Sequence, residues 1–477
     1  EFRRVLFRSH PLIVGWNQQV HTVVAEVIAG NANHRGRAIV LLADRAPVEM
    51  EAAVRARLGR HGARGTRLVF RSGSPMVAAD LAIASVATSR SVVVLAPDTA
   101  DPDADVIKSI LAITAHTARR RPTPYHVVAE IRDRANLEVA RMVGRDEVEL
   151  ILTEDVIARI AAQTCRQSGL SVVYQELLDF DGDEIYLHPV GALAGRTYGD
   201  TLTAFADASP IGIVPAGGSP QLNPPMATTL GVGDRLVVIA ADDDRLTVAA
   251  STIEVDDASL VAPVARPARP ERTLVLGWNR RGAAVIRELD RYAPAGSSVL
   301  VIAAATDRDA ALAGLGATLA NQSLAWRAAD SADRGVLDSL GVGDFDHIVV
   351  LCESDELDVG RADARTLITL LHLRDIASRT GQDLSIVSEM LDLRDRELAE
   401  VARADDFIVS DRLISLLIAQ VSESKALNAV FADILDPEGS EIYLKPAADY
   451  VVDGRTLLIA AVIESADRKS TRLNSSH

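Results

Sequence analysis

Two stretches of this 477-residue chain, Pro11-Leu-Ile-Val-Gly-Trp-Asn17 and Thr273-Leu-Val-Leu-Gly-Trp-Asn279, decide its fold because they are two copies of one motif. Each copy is an apolar run of strand length that ends in a glycine-containing turn. Further matches follow in the same order and at nearly constant spacing: Val127-Val-Ala-Glu-Ile131 with Ile386-Val-Ser-Glu-Met390, and Asp183-Glu-Ile-Tyr-Leu-His-Pro189 with Ser440-Glu-Ile-Tyr-Leu-Lys-Pro446. A repeat of this length indicates a duplicated domain rather than a solenoid unit.

Each copy alternates strands with helices. In the first copy, apolar strand-length runs are separated by segments that are long enough for a helix. These runs are Ala38–Leu42, Arg67–Phe70, Ser91–Leu95 and His126–Ile131. Strands that are largely apolar and are joined by helices favour a parallel, doubly wound sheet. We therefore predict an α/β fold with two tandem Rossmann-like domains.

A helical connector and a small β-rich region follow each predicted sheet. Asp155–Gln167 carries apolar residues at helical spacing, and Leu413–Ile418 does so in the second copy. We expect each apolar stripe to pack on the core of its own domain, with self-association as the alternative. Tyr186–Asp242 changes to short strands with glycine and proline turns, which predicts a β-rich subdomain. The second copy enters this pattern at Tyr443 and is predicted to be truncated there.

The two ends of the chain are set apart from the rest. One DNA sequence that encodes Glu1–Ser9 also encodes Asp467–Ser475 when its complementary strand is read. Both ends resemble translated sequencing adapter, so we expect the natural chain to be an interior fragment of a longer protein. The predicted organisation is an adapter-like start at 1–9, a first Rossmann-like domain at 10–150, a connector and β-rich subdomain at 151–255, a linker at 256–271, a second Rossmann-like domain at 272–408, a connector and truncated subdomain at 409–466, and an adapter-like end at 467–477.

Composition excludes several classes of partner. The net charge of −16 repels phosphate backbones, and no basic stripe offsets it, so we expect no nucleic-acid partner. No run approaches the roughly 18 consecutive apolar residues of a membrane span. The two cysteines, Cys165 and Cys352, each lie in an apolar pattern, which is typical of reduced core thiols in a cytosolic protein.

The glycine turn of the first copy departs from a dinucleotide-binding motif. Such a site needs three glycines after the first strand and an acidic residue at the end of the second strand. The first copy keeps Gly15 and has Asp44 at the end of its second strand, but it carries Trp16 and Asn17 where the chain should approach a diphosphate. The tryptophan could stack on a base or simply pack against the core. NAD(H) or another nucleotide is therefore a less favoured ligand.

The second copy departs from the motif in a different way. It keeps Gly277 and Gly282 around Asn279, but its second strand ends in alanines. Ligands of such sheets bind beyond the carboxyl ends of the strands, where an arginine could hold a phosphate or form an ordinary salt bridge. The candidate cofactor-binding residues of the two copies are Gly15, Trp16, Asn17, Asp44, Arg71, Gly73, Glu130, Gly277, Asn279, Gly282, Arg327 and Glu389.

An acidic loop is the one candidate metal site. Asp179, Asp181, Asp183 and Glu184 place several carboxylates within six positions, which suits a hard cation such as Ca²⁺. The loop lacks the length and the closing glutamate of an EF-hand. A solvated turn is the alternative interpretation, since such clusters commonly just turn the chain.

The tandem arrangement of a Rossmann-like unit, a helical connector and a β-rich unit resembles the RCK (regulator of potassium conductance) modules of channels. More specific strings are similar to the CASTOR/POLLUX family of ion channels. These strings are Gly15-Trp-Asn17, Arg71-Ser-Gly-Ser-Pro75, Ala79-Asp-Leu81, Val92-Val-Val-Leu-Ala96 and Cys165-Arg-Gln-Ser-Gly-Leu170. They occur in the expected order, and the resemblance covers residues 10–466.

The resemblance implies the cytosolic, ligand-sensing gating region of a potassium or cation channel at the cytoplasmic face of the cell membrane. Its own transmembrane pore domain would precede the first Gly-Trp-Asn strand. The resemblance also implies self-association into a tetrameric gating ring and, for part of the family, regulation by Ca²⁺.

Two rival classes predict features that the sequence lacks. A soluble NAD-binding regulatory subunit of a Trk-like potassium uptake system predicts intact glycine motifs. A Rossmann oxidoreductase predicts a hydride-transfer site with a catalytic acid or base. The sequence has no Gly-x-Ser-x-Gly elbow, no His-Glu-x-x-His helix and no Cys-x-x-Cys pair, so we predict that the protein is not an enzyme.

Overall fold

The structure is a computed structural model, and it describes residues 9–31, 37–58, 62–115, 124–205, 207–242, 246–248, 261, 269–304, 309–355, 357–392 and 406–452. The predicted adapter-like ends, apart from Ser9, and most of the predicted linker lie outside these ranges. The described residues of Glu1–Asp181 and Pro270–Asn428 form one compact unit, and those of Gly182–Arg269 and Ala429–His477 form a second.

The first sheet has six parallel strands in the order β3-β2-β1-β4-β5-β6. Its strands are β1 (Pro11–Val14), β2 (Ala38–Ala43), β3 (Arg67–Ser72), β4 (Ser91–Val94), β5 (Val127–Ile131) and β6 (Val148–Leu152). Its helices are α1 (Val20–Gly30), α2 (Pro47–Leu58), α3 (Ala78–Ile83), α4 (Pro102–Thr114) and α5 (Arg134–Gly144). The central strands are buried along their whole length because helices cover both faces, as their apolar sequences predict.

Two connector helices follow the first sheet: α6 (Thr153–Arg166) and α7 (Leu170–Leu178). The second unit then begins with an antiparallel sheet in the order β7-β10-β8-β9. Its elements are β7 (Glu184–Pro189), α8 (Tyr198–Thr201), β8 (Ala208–Val214), β9 (Gln221–Leu222) and β10 (Arg235–Ala240). One face of this sheet packs on an apolar core that includes Tyr198, Phe205 and Leu236.

The second parallel sheet repeats the strand order of the first, as β13-β12-β11-β14-β15-β16. Its strands are β11 (Arg272–Leu276), β12 (Ser297–Ala303), β13 (Gln322–Ala328), β14 (His347–Val350), β15 (Ile386–Met390) and β16 (Asp406–Val409). The helices of this half are α9 (Gly282–Tyr292), α10 (Asp309–Gly316), α11 (Arg334–Leu340), α12 (Val359–Thr380), α13 (Ser410–Glu423) and α14 (Ala426–Ile434). The predicted pair of Rossmann-like sheets is confirmed.

Residues 441–446 repeat the sequence of β7 without forming a strand. In the first copy, β7 is held by backbone hydrogen bonds to β10. Among the described residues of the second copy nothing takes the place of β10, and an isolated strand has no stable state in water. The β-rich character predicted from Tyr443 onward is therefore not seen in that stretch.

The connector helices are exchanged between the two parallel sheets. Helix α6 follows the first sheet but packs on α9 and on β14, β15 and β16 of the second. Helix α13 follows the second sheet but packs on α1, β4 and β5 of the first. Ile157 and Ala161 accordingly meet Val349 and Ile408 around a cavity of about 10 Å³, barely enough for one water. The expectation that each stripe packs on its own domain is wrong.

Within the described ranges, no helix combines the length and the apolar character that crossing a bilayer requires.

Candidate functional site

The turn after β1 is closed by its own side chains. Gly15 has a φ of +89°, and a Cβ there would lie 2.5 Å from the Leu95 carbonyl oxygen, so the close approach of β4 requires the glycine. The buried Asn17 side chain donates from Nδ2 to the Ala96 carbonyl (2.9 Å), and its Oδ1 accepts from the Gln19 backbone N–H (3.0 Å). An N–H that a dinucleotide phosphate would use is therefore already bonded within the turn.

The turn after β11 repeats this closure. Gly277 has a φ of +83° and faces the Leu351 carbonyl in the same way. Asn279 is fully buried; its Nδ2 donates to the Cys352 carbonyl (2.7 Å), and its Oδ1 accepts from the Arg281 N–H (2.9 Å). The added glycine of this copy, Gly282, sits under a tryptophan, since a Cβ there would meet the Trp278 ring at 2.9 Å. That glycine makes room for an aromatic ring rather than for a pyrophosphate.

A buried ion pair occupies the carboxyl end of the second sheet. The Glu389 carboxylate accepts from Asn279 Nδ2 (2.7 Å) and from the Ser410 hydroxyl (2.8 Å), and it lies 2.5 Å from Arg281 Nη2. Both charged side chains are at most 6% exposed, so each charge is stabilised in the interior by the opposite charge of the other. Burial tends to lower the pKa of Arg281, but the nearby carboxylates of Glu389, Asp411 and Asp355 together outweigh it and leave that pKa above its usual value.

The first half has a buried acid at the equivalent position and a different arginine. Glu130 is 1% exposed and accepts from the Thr153 hydroxyl (3.1 Å) and from Arg132 Nε (3.4 Å). Burial raises the pKa of Glu130, and Arg132 opposes that shift. Gln19 stands where the second half has Arg281. The two clefts are thus related by the repeat but differ in where their positive charge comes from.

Two further acids link the clefts. Glu154 near the start of α6 and Asp411 near the start of α13 are repeat equivalents. Glu154 lies 3.4 Å from Arg280 of the second half. Burial raises the pKa of Asp411, and the charges of Arg281 and Arg132 oppose that shift. Charges of both halves are therefore coupled at the carboxyl edges of the two sheets. These acids and arginines are not among the residues predicted from the sequence; the signal for the acids was an acidic residue two positions after the last strand in both copies.

The other predicted cleft residues do not converge on a buried site. Asp44 is exposed at the end of β2. Arg71 is half-buried and donates to the carbonyl of its own neighbour, Phe70 (3.3 Å). Arg327 is exposed and lies 3.4 Å from the Ser339 hydroxyl. Gly73 is required by local packing, since a Cβ there would lie 2.8 Å from the Asp80 side chain. Trp16 is half-buried under the Arg45 guanidinium.

Three of the four carboxylates of the acidic loop are engaged by other groups. Asp181 accepts two hydrogen bonds from Arg64 (2.9 and 3.2 Å), and Asp179 accepts one from Arg412 (2.8 Å). Within the second unit, the buried Glu184 accepts from the Tyr186 hydroxyl (2.8 Å), while Asp183 is exposed. In the part of the chain that the structure describes, no three acids, histidines or cysteines are grouped to hold a metal ion.

Comparison with known proteins identifies the family. The profile described as "Castor and Pollux, part of voltage-gated ion channel" matches residues 154–256, and the TrkA-N domain profile matches residues 273–410. The ion channel POLLUX of Lotus japonicus is 32% identical over 491 residues, covering 95% of this chain and 53% of that protein. The ion channel DMI1 of Medicago truncatula is 33% identical over 494 residues, covering 95% and 55%. The chain belongs to the CASTOR/POLLUX ion channel family.

The CASTOR/POLLUX chain spans about half the length of the curated relatives that it matches. Those relatives are named as ion channels and not as enzymes. The solved structure of the human SLO3 gating ring is similar in fold, with a TM-score of 0.62 at 13% identity, covering 90% of this chain and 84% of that one. The described chain is thus the RCK-type region of a CASTOR/POLLUX protein, and the predicted family resemblance is confirmed.

Proposed function

We propose that this region senses a ligand and regulates the opening of a potassium or cation channel at the cytoplasmic face of the membrane, with the pore supplied by another part of the protein. The observation that carries the proposal is the exchange of α6 and α13 between the two sheets. A ligand that moves the carboxyl edge of one sheet also moves a helix that belongs to the other half. Such a ligand acts only through its different affinities for the closed and open states.

The turns of both clefts disfavour a dinucleotide as that ligand. Asn17 and Asn279 occupy the phosphate-binding turns with their own side chains. Ca²⁺ remains our proposed ligand; at the acidic loop it must displace Arg64 from Asp181. NAD(H) is the second candidate, because the TrkA-N profile covers the second half.

Apolar side chains on the outer helices support self-association into a ring. Leu111 of α4 and Leu371 of α12 occupy repeat-equivalent positions and are 54% and 49% exposed. Met142 of α5 is 72% exposed, and Ile368 lies one turn before Leu371. Exposed apolar residues at the same place on both halves suit contacts with neighbouring copies. We propose that these helices meet in a tetrameric gating ring.

A thermal-shift screen with Ca²⁺, NADH, ATP and ADP tests the ligand directly, because a ligand that binds the native state raises the melting temperature by mass action. We expect a shift with Ca²⁺ that is lost in Asp181→Ala or Asp183→Ala and is retained in Asp44→Ala. A selective shift with NADH would instead support the nucleotide cleft as the ligand site. No shift with any of the four would contradict the ligand-sensing proposal.

A further inference from the structure

The last residues of the two exchanged helices carry opposite charges. Helices α6 and α13 are both 14 residues long, and they end at Arg166 and Glu423 respectively. These two residues are repeat equivalents, since each lies thirteen positions after the first residue of its helix. The duplication therefore kept the helix and reversed the charge at its end.

Each helix end forms a bidentate ion pair with the sheet on which the helix packs. Arg166 donates to Glu271, which precedes β11, at 2.6 and 3.2 Å. Glu423 accepts from both terminal nitrogens of Arg90, which precedes β4. The four side chains are only 20% to 29% exposed, so solvent screens these pairs less than it screens an ordinary surface pair.

The sheet edges that receive the two helix ends also carry opposite charges. In the sheet registers, Val92 pairs with Leu12 and Ile348 pairs with Leu274, so Arg90 of the first half corresponds to Asp346 of the second. The position equivalent to Glu271 is Ser9, which lies in the adapter-like start, so Arg90 and Asp346 carry the difference between the two edges. The first half thus presents a basic edge to the acidic helix end, and the second half presents an acidic edge to the basic helix end.

One further contact of the exchanged connectors is alike on both sides. The hydroxyl of Ser171, near the start of α7, donates to Asp406 at 2.5 Å. Its equivalent in α14, Asn428, donates to Glu149 at 2.6 Å, and Glu149 is the equivalent of Asp406 in the register. These contacts would form whichever halves were paired. The helix ends are different, because their signs fit only one pairing.

We propose that the charge reversal at Arg166 and Glu423 selects the partner of each half, so that the two halves of one chain pair with each other and not with the same half of a second chain. In a pair of first halves, Arg166 would face Arg90. In a pair of second halves, Glu423 would face Glu271 and Asp346. Like charges at these partly buried positions reject both arrangements.

The test reverses one helix end in the whole chain. Glu423→Arg sets an arginine against Arg90 within the chain, and it also gives α13 an end that fits the acidic edge of the second half of another chain. We expect a melting temperature lower by about 2–5 °C and, by light scattering at rising protein concentration, an additional high-mass species. High salt should reduce the additional species, because ~1 M salt screens charges beyond about 3 Å.

Matched variants separate pairing selection from simple loss of an ion pair. Glu423→Gln removes the attraction without creating a new one, so it should lower the melting temperature slightly and add no species. The double variant Glu423→Arg with Arg90→Glu restores the ion pair within the chain, so it should recover much of the melting temperature. It should keep the additional species, because the reversed end of α13 still fits the acidic edge of a second chain. Adding Arg166→Glu and Glu271→Arg reverses all four charges and should recover the parent mass as well. If Glu423→Arg alone does not fold, the comparison of the double with the quadruple variant still decides the question. Parent-like mass in soluble Glu423→Arg, or a quadruple variant that stays mixed, would overturn the proposal.

Discussion

The Asn279 side chain donates a 2.7 Å hydrogen bond to the Glu389 carboxylate, reaching over the end of β14. The same amide nitrogen bonds to the Cys352 carbonyl, and the amide oxygen accepts from the Arg281 backbone. A residue that looks like a defect in a nucleotide-binding turn is therefore a structural junction. It joins the turn after β11 to the ends of two further strands.

Removing the Asn279 side chain from this junction should destabilise the fold. Asn279→Ala removes one of the donors to the buried Glu389 carboxylate and the side-chain donor to the buried Cys352 carbonyl, so we expect a loss of about 2–3 kcal/mol in the free energy of unfolding. Asn17→Ala is the matched comparison, because Asn17 bonds only to uncharged groups, and it should lose about 1–2 kcal/mol. Urea denaturation of both variants measures the difference. Equal losses would contradict the role assigned to Glu389.

The buried pair of Arg281 and Glu389 should behave as a unit. Arg281→Met leaves the Glu389 charge unpaired and should cost about 3–5 kcal/mol. Adding Glu389→Gln removes that charge and should recover part of the loss. A double-mutant cycle from urea denaturation gives the coupling energy. Additive losses in the two single variants would show that the pair is not coupled.

Two glycines that look alike in sequence should differ in tolerance. Gly15→Ala meets a backbone carbonyl at 2.5 Å and requires a φ that alanine avoids, so we expect a loss of about 2 kcal/mol or more. Gly282→Ala meets only the Trp278 side chain, at ordinary helical φ, and should cost less. Thermal unfolding of the two variants compares them directly. A larger loss for Gly282→Ala would contradict the assigned roles.

The carboxyl group of Glu26 should make stability depend on pH near neutrality. Burial raises its pKa from 4.5 to about 7, helped by the nearby Asp179 and Asp181 and opposed by the Phe180 N–H and Arg412. Because this folded-state pKa lies above the unfolded value, the stabilising contribution is complete below pH 4.5. It is lost as the pH rises through about 7.

The isosteric variant Glu26→Gln removes this titration while keeping an acceptor for the Phe180 N–H. Relative to the variant, the parent chain should lose about 3 kcal/mol of unfolding free energy between pH 4.5 and about 7. Urea denaturation across that range measures the change. A constant difference between the two proteins would contradict the raised pKa.

The repeated Gly-Trp-Asn strings were enough to predict both parallel sheets, because apolar strands that alternate with helices allow few other arrangements. The exchange of α6 and α13 was not predictable. The apolar stripe that contains Ile157 and Ala161 indicates that one face of α6 is buried, but not which sheet covers that face. Two sheets of the same architecture offer equivalent surfaces.

The candidate sites were predictable only in part. Glu130 and Glu389 were found because they end strands in both copies, and the structure buries both. Arg281 was passed over because in sequence it is one of two adjacent arginines after Asn279, and nothing there shows that its side chain turns inward. Likewise, nothing in the sequence shows that the Trp278 ring packs against Gly282.

Hydrogen–deuterium exchange tests whether a ligand couples the two halves, by comparing the chain with and without whichever of Ca²⁺, NADH, ATP or ADP raises its melting temperature. We expect exchange to change in α6 and in α13 together, because each helix belongs to one half and packs on the other. A change confined to one sheet and its own helices, with α6 and α13 unaffected, would contradict coupling between the halves.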